Sequence, residues 1–200
     1  MTAVARSEQD EAYVRANYAT LEQLGRGLGE AAWIGEQLPK ATYALADGSA
    51  WYPRDWWRLF DDARGWIGGD DLARDVAAVL EAVPRLFARR LAAAARALGH
   101  DCDVDDEWQS YVSGVYGACL RDVTPEALAH KEALVAEIGR AMQVPRPDDE
   151  AWCAELRGRV ECLDGLCRPF AACDRVRFGR TTSRDRWIVD VRRRFPQVFA

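Results

Sequence analysis

The sequence predicts a mostly α protein: a small helix-turn-helix-like module carrying a small β-hairpin over residues 1–64, then a helical bundle over residues 65–200. Three observations predict it. Apolar residues recur at three- and four-residue steps along most of the chain, the period of a helix with one buried face. Asp47-Gly48 is the strongest hairpin signal, because a two-residue turn with positive φ favours Asp-Gly. Residues 65–69 hold three glycines and read as a hinge between the two parts.

Taken in order, Ser7 caps a first helix carrying Tyr13, Val14 and Tyr18. Residues 20–24 open a short helix, residues 27–29 turn, and residues 30–38 form a second helix ending at Pro39. Tyr43, Leu45 and Trp51 flank the Asp47-Gly48 turn as short-strand residues. Trp56, Trp57, Leu59 and Phe60 give the next helix an apolar face. Asp70 or Asp71 caps a helix with Leu72, Val76, Val79 and Leu80, which Pro84 breaks or kinks before residues 86–98 continue. A helix follows over about residues 105–121. Thr124-Pro125-Glu126 is a helix start, with Thr as cap, Pro where no amide partner is needed and Glu at the positive end. After Pro145 and Pro147, Asp148 or Asp149 starts a helix to about Leu166, and Pro169 interrupts it. Ser183 caps the last helix, whose Arg192 to Arg194 suit the negative end of its dipole.

Composition narrows the function classes. Apolar residues are 49% of the 200, enough for a real core. No run approaches the roughly 18–20 apolar residues of a membrane span, and residues 1–10 lack the order of a signal peptide. The reading is a soluble, cytoplasmic protein with no membrane partner. Net charge is −5 but uneven: residues 1–64 hold 7 basic and 10 acidic groups, residues 65–144 hold 8 and 13, and residues 145–200 hold 12 and 9. Two of the 27 basic residues are lysines, Lys40 and Lys131. The six cysteines show no two-residue metal or redox spacing.

Residues 20–53 resemble the winged helix-turn-helix of MerR-type regulators. The helix that would enter the groove carries Glu30 and Glu36 and no Lys or Arg, whereas phosphate contacts by basic residues provide most of a DNA binder's affinity. The charge therefore argues against DNA as a partner and for a scaffold used in packing.

A second resemblance covers nearly the whole chain. It rests on residues 13–53, on Trp108-x-x-Tyr111-x-x-Gly114-x-Tyr116-Gly117-x-Cys119-Leu120, on Thr124-Pro125 and Lys131-Glu132, and on Leu163-Asp164, Arg168-Pro169-Phe170, Asp174-Arg175, Phe178-Gly179 and Ser183-Arg184-Asp185. These resemble a family of small actinobacterial proteins, a domain of unknown function often described as natural-product biosynthesis proteins. The abundance of Ala, Arg, Gly and Asp fits such a GC-rich source. The resemblance implies a biosynthetic setting and assigns no catalytic residue.

The helix over residues 105–121 is the leading site candidate. Trp108, Tyr111, Val112, Val115 and Cys119 share one face, Tyr116 lies one position round, and His130-Lys131 sits on the next helix, within reach in an antiparallel pair. Tyr111, Tyr116, Cys119, His130 and Lys131 are the candidate catalytic groups, since burial or neighbours shift such side chains into acid–base or nucleophilic use. Trp108, Asp164, Arg168, Asp174 and Arg184 are candidate substrate-binding groups, with Arg168 or Arg184 anchoring an anion. The plain alternatives are a packed face with a structural thiol, an Arg–Asp turn, and a solvated arginine-rich end. Arg184 and Asp185 are a candidate buried pair, and the tail arginines have residues 101–107 as a possible internal dock.

No metal or cofactor is expected. Residues 101–106 resemble a calcium loop, but Asp106 stands where glycine is needed and Val112 where the bidentate glutamate belongs. The acids at 61–62 and 70–75 lack the second metal motif of a terpene cyclase. Four of the eight tryptophans lie within residues 51–66 and read as a seam with a pocket beside it. The expected function is a small cofactor-independent enzyme or ligand-handling protein of natural-product biosynthesis. It holds a small or carrier-protein-bound intermediate in a helical pocket, with catalysis itself left open. The alternatives are a MerR-like regulator and a non-catalytic partner of a biosynthetic enzyme.

Overall fold

The computed structural model describes residues 6–24, 40–55, 58–67, 72–178 and 182–200. The turn at 27–29, the second helix at 30–38 with Trp33, the Trp56-Trp57 pair, the Asp70/Asp71 cap and Arg180 lie outside the described residues.

Helix α1 (Glu8–Asn17) starts as read: Ser7 Oγ accepts from the Asp10 amide at 3.1 Å and the Asp10 carboxylate accepts from the Ser7 amide at 3.0 Å. This reciprocal capping satisfies amides that have no partner within the helix. The chain then runs into a short strand, β1 (Tyr18–Ala19), which the helical reading of Tyr18 did not anticipate. Two residues are too few to show strand alternation. Thr20 and Gln23 make reciprocal capping bonds, a single turn of the helix expected there.

Strands β2 (Tyr43–Ala44) and β3 (Ala50–Pro53) form the hairpin around Asp47-Gly48, with Gly48 at φ 81°. Tyr43 faces Trp51, and β1 pairs along the other edge of β3, so the sheet order is β1-β3-β2.

The described remainder is helical: α2 (Arg58–Ile67), α3 (Leu72–Ala97), α4 (Val104–Val112), α5 (Val115–Cys119), α6 (Pro125–Gln143), α7 (Glu150–Leu166), α8 (Ala172–Phe178) and α9 (Asp190–Arg194). Helix α3 runs continuously through Pro84, so of the break or kink expected there the break does not occur. The buried row Val79, Val83, Phe87 and Leu91 packs on both sides of the proline and outweighs its one missing bond. Thr124 and Asp149 cap α6 and α7 as read. Asp103 caps α4, accepting from the Asp105 and Asp106 amides at 3.1 Å, which is the use the acidic stretch finds here.

Two corrections concern the site. The helix expected over residues 105–121 is interrupted: Gly114 adopts φ 77° and divides it into α4 and α5. The cap of the last helix is Thr182 and not Ser183, with Thr182 Oγ1 accepting from the Asp185 amide at 3.2 Å and the Asp185 carboxylate accepting from the Thr182 hydroxyl at 2.9 Å. That helix opens with a π-helical run, Asp185–Val189, before α9.

Three apolar clusters hold the molecule together. One joins α2, α3, α4, α5 and the start of α6, and a second joins α6, α7 and the C-terminal helix. The third sets Val14, Tyr18, Tyr43 and Trp51 against Ala118, Ala171 and Cys173. Across residue 64, Tyr18 donates to Gly117 O at 2.9 Å, the Lys40 amide to Val112 O at 3.0 Å, and Tyr43 to the buried Asp174 at 2.8 Å. No described helix is long and apolar enough to cross a membrane.

The arginine-rich end is tied mainly to its own neighbourhood. Asp164 on α7 receives Arg184 at 2.6 Å and Arg192 at 2.8 Å. Arg175 grips Asp185 with two bonds of 2.8 and 2.9 Å, so Arg184 and Asp185 do not pair with each other. None of the ion pairs among the described residues joins a tail arginine to residues 101–107, so the internal dock considered for them is absent there. Partial burial disfavours the Asp164 charge, but the two arginines outweigh it and hold the carboxyl below the usual range. A depressed carboxyl contributes stability above its unfolded pKa, and this is lost as pH falls through the folded one. Asp164→Asn is therefore expected to cost about 1–2 kcal/mol at pH 6 and less at pH 3. Urea midpoints of both proteins at the two pH values check this, and an equal gap at both would refute it.

Candidate functional site

The interruption at Gly114 creates the site. It turns α5 out of line with α4 and sorts the predicted residues into two sets. Tyr111 and Trp108 stay with α4 in packed apolar surroundings: their rings stack at 5.8 Å and both lie against Phe87, at 4.8 and 5.2 Å. Tyr111 is 1% exposed. Tyr116 and Cys119, on α5, belong to the same buried cluster but also line a cavity with Lys131 of α6, which Tyr111 and Trp108 do not.

There, Tyr116, Cys119 and Lys131 line a cavity of about 270 Å³ with Val115, Phe170, Thr182 and Ser183. Helix α5 is held from both sides. Gly114 and Gly117 let residues 40–42 and Pro53 approach closely on one side, where a Cβ on Gly117 would sit 2.0 Å from Thr42 Oγ1 and 2.7 Å from Pro53 Cγ. On the other, the Arg168 amide donates to Cys119 O at 2.9 Å, and its guanidinium donates to Leu120 O at 2.8 Å and Arg121 O at 2.9 Å. Arg168 also lies 5.1 Å over the Tyr18 ring. It is thus a clasp that fixes Cys119, with its donors turned to the backbone.

Lys131 is 6% exposed. Its ammonium is 2.7 Å from Glu132 and 5.3 Å over the Tyr116 ring. Burial opposes that charge, the neighbouring Glu132 carboxylate supports it, and its pKa stands above the ordinary lysine value. Burial pushes the Cys119 thiol up to about 12, with Lys131 pulling the other way. At neutral pH the thiol is therefore uncharged, and the Glu132 carboxylate is what keeps the ammonium. Tyr116 donates to Glu107. Burial raises the Tyr116 phenol and raises the Glu107 carboxyl as well, the latter against the bond from Tyr116. The cavity thus has a neutral thiol, a phenol oriented by a carboxylate, and a fixed positive charge. Such a wall suits a carbonyl or carboxylate oxygen, which an ammonium can bind and whose negative charge it can stabilise.

The other predicted residues lie elsewhere. His130 stands about one-quarter turn round α6 from Lys131, on the outer side, with Nε2 3.7 Å from the exposed Cys162 Sγ. Asp164 and Arg184 hold each other, as described above. Asp174 is buried between Tyr43 and the Ala171 amide, and burial raises its carboxyl. Glu107, Glu132, Phe170, Thr182 and Ser183 complete the cavity or its charge. Glu132 was visible beside Lys131 in sequence. Thr182 and Ser183 reach the cavity from more than 50 residues away, and no local pattern announces them.

A family model described as "Family of unknown function (DUF6058)" matches residues 82–196, a span that contains every residue of this cavity. No curated protein and no solved structure matches the chain.

Proposed function

The chain belongs to the DUF6058 family of unknown function, and we propose that it is a small, cofactor-independent ligand-handling protein whose α5–α6 cavity takes a small or carrier-bound molecule by its carbonyl or carboxylate group. The observation that carries this reading is Lys131. In a chain that uses arginine for 25 of its 27 basic residues, a buried lysine lines a cavity beside a tyrosine and a cysteine. A buried charge is costly unless it has partners. A compact ammonium with three rotatable donors, one of them given to Glu132, leaves others for a ligand. The role such a wall supports is electrostatic: the Lys131 ammonium holds a carboxylate or enolate oxygen and stabilises its negative charge, while Tyr116 packs beside the bound group. The resemblance of the sequence motifs to natural-product biosynthesis proteins supplies the setting.

DNA binding has less support. The hairpin that would act as a wing turns Tyr43 and Trp51 inward. Its tip carries Asp47, whose carboxyl is pulled down to about 2 by bonds from Ser49 and Arg15. A carboxylate paired with Arg15 there offers phosphate no hydrogen-bond donor.

The test is calorimetric titration with short acyl thioesters of N-acetylcysteamine, which stand in for carrier-bound intermediates, and with the matching free acids. Saturable binding with Kd below about 1 mM is expected. Lys131→Met is expected to weaken it at least tenfold, about 1.4 kcal/mol or more. Absence of binding across both sets, or full binding by the variant, would overturn the reading.

A further inference from the structure

A second concavity lies on the opposite part of α6, where the arginine-rich end meets that helix. It measures about 640 Å³ and lies between α6 and the C-terminal helix, with Arg140, Arg186, Arg194 and Trp187 on its walls and Val135 and Met142 among its apolar surfaces. Its size is within the range of roughly 300–1,000 Å³ typical of small-molecule sites.

Its arginines differ from their neighbours. In the C-terminal arm, Arg175, Arg184, Arg192 and Arg193 each hold an aspartate. Arg168 and Arg177 donate to backbone carbonyls. Arg186, Arg194 and, from α6, Arg140 have no carboxylate partner among the described residues, and these three share one groove. The groove's own acid, Asp190, is drawn to Arg193 at 2.8 Å. Three arginines therefore line a groove whose own carboxylate is already engaged.

The backbone presents these groups by an uncommon device. Residues Asp185–Val189 are π-helical, a local widening frequent at functional sites. It carries Arg186 and Trp187 together, with the guanidinium carbon 4.6 Å over the indole. The indole lies against α6 at Gly139, where a Cβ would stand in ordinary contact at 3.4 Å from the ring. Arg186 is thus held against the indole, and the Arg194 guanidinium lies 5.2 Å over the Phe195 ring.

We infer that this groove binds an amphiphilic anion, a small molecule with a phosphate or carboxylate head and an apolar body. The arginines hold the head by charge-assisted bonds, and the apolar floor and the Trp187 edge cover the body. Arg140, on α6, closes the head site from the side opposite Arg186 and Arg194. The site is separate from the Lys131 cavity, and its residues play no part there.

Isothermal titration of the full chain with octyl phosphate, octanoate, inorganic phosphate and octylammonium tests this. Octyl phosphate is expected to bind saturably with Kd below about 1 mM, octanoate less tightly, inorganic phosphate at least tenfold more weakly, and octylammonium not at all. The double variant Arg186→Gln/Arg194→Gln removes two exposed charges, and is expected to weaken octyl phosphate at least tenfold with an unchanged circular-dichroism spectrum. Trp187→Ala is expected to weaken octyl phosphate and leave inorganic phosphate as it was. Failure of octyl phosphate to saturate, equal binding of inorganic phosphate, or undiminished binding by the double variant would each overturn the inference.

Discussion

Gly114→Ala and Gly117→Ala are each expected to destabilise the protein by about 2–4 kcal/mol, from overpacking and, at Gly114, from a left-handed backbone. Gly114 combines both: its φ is 77°, and a Cβ would lie 2.5 Å from the backbone oxygen of Lys40. A backbone carbonyl cannot rotate aside as a long side chain can. At Gly117 the φ is ordinary and the cost is wholly steric. Its neighbours there are the Thr42 hydroxyl and the Pro53 ring. Thr42 is buried and donates to Gly114 O at 3.3 Å, and Pro53 is a rigid ring, so neither yields cheaply. The Tyr18 hydroxyl bonds Gly117 O, so a shift of α5 also strains that contact. Urea unfolding should show a lower midpoint at an unchanged m value. A variant with the wild-type midpoint would mean that residues 40–42 do not approach α5 so closely. Both changes should also disturb the Lys131 cavity, because α5 carries Tyr116 and Cys119.

At pH 8, Cys119 is expected to be alkylated by iodoacetamide about a thousandfold more slowly than an ordinary exposed thiol, because its pKa is raised from 9.0 to about 12 and the thiolate is the reacting form. Cys162 is exposed and should be labelled first. Mass spectrometry of tryptic peptides over a time course separates the two, and unfolding in urea should abolish the difference. Lys131→Met is expected to slow Cys119 further, since the ammonium draws the thiol pKa down. Rapid labelling of Cys119 in the folded protein would show that the thiol is ionised, and the cavity would then carry a nucleophile instead of a neutral wall.

Much of the candidate site was legible in sequence, though not its shape. Tyr116, Cys119 and Lys131 were grouped from helical spacing and a short connection, and the cavity contains all three. Tyr111 and Trp108 were placed with them because one glycine inside an apolar period reads as tolerated. Only its φ of 77° shows that the helix stops there. His130 was taken with Lys131 because they are adjacent, yet adjacent helical residues point about 100° apart, and α7 claims the other side. Asp164 and Arg184 were read as ligand groups; α7 and the last helix bring them together instead.

What the sequence determined by itself is local. Ser7, Thr124 and Asp149 cap their helices, and Asp47-Gly48 turns the hairpin, because each of these depends on bonds among residues within a few positions. The mostly helical character follows from the same short-range periodicity. Tertiary structure decided what is remote along the chain: that residues 40–42 press on Gly114 and Gly117, that Thr182 and Ser183 close a cavity begun by Tyr116, and that Arg186 and Arg194 meet Arg140. Burial, close approach and charge pairing between distant segments depend on which elements pack together. A one-dimensional period reports which face of a helix is apolar, and packing alone selects the surface that covers it.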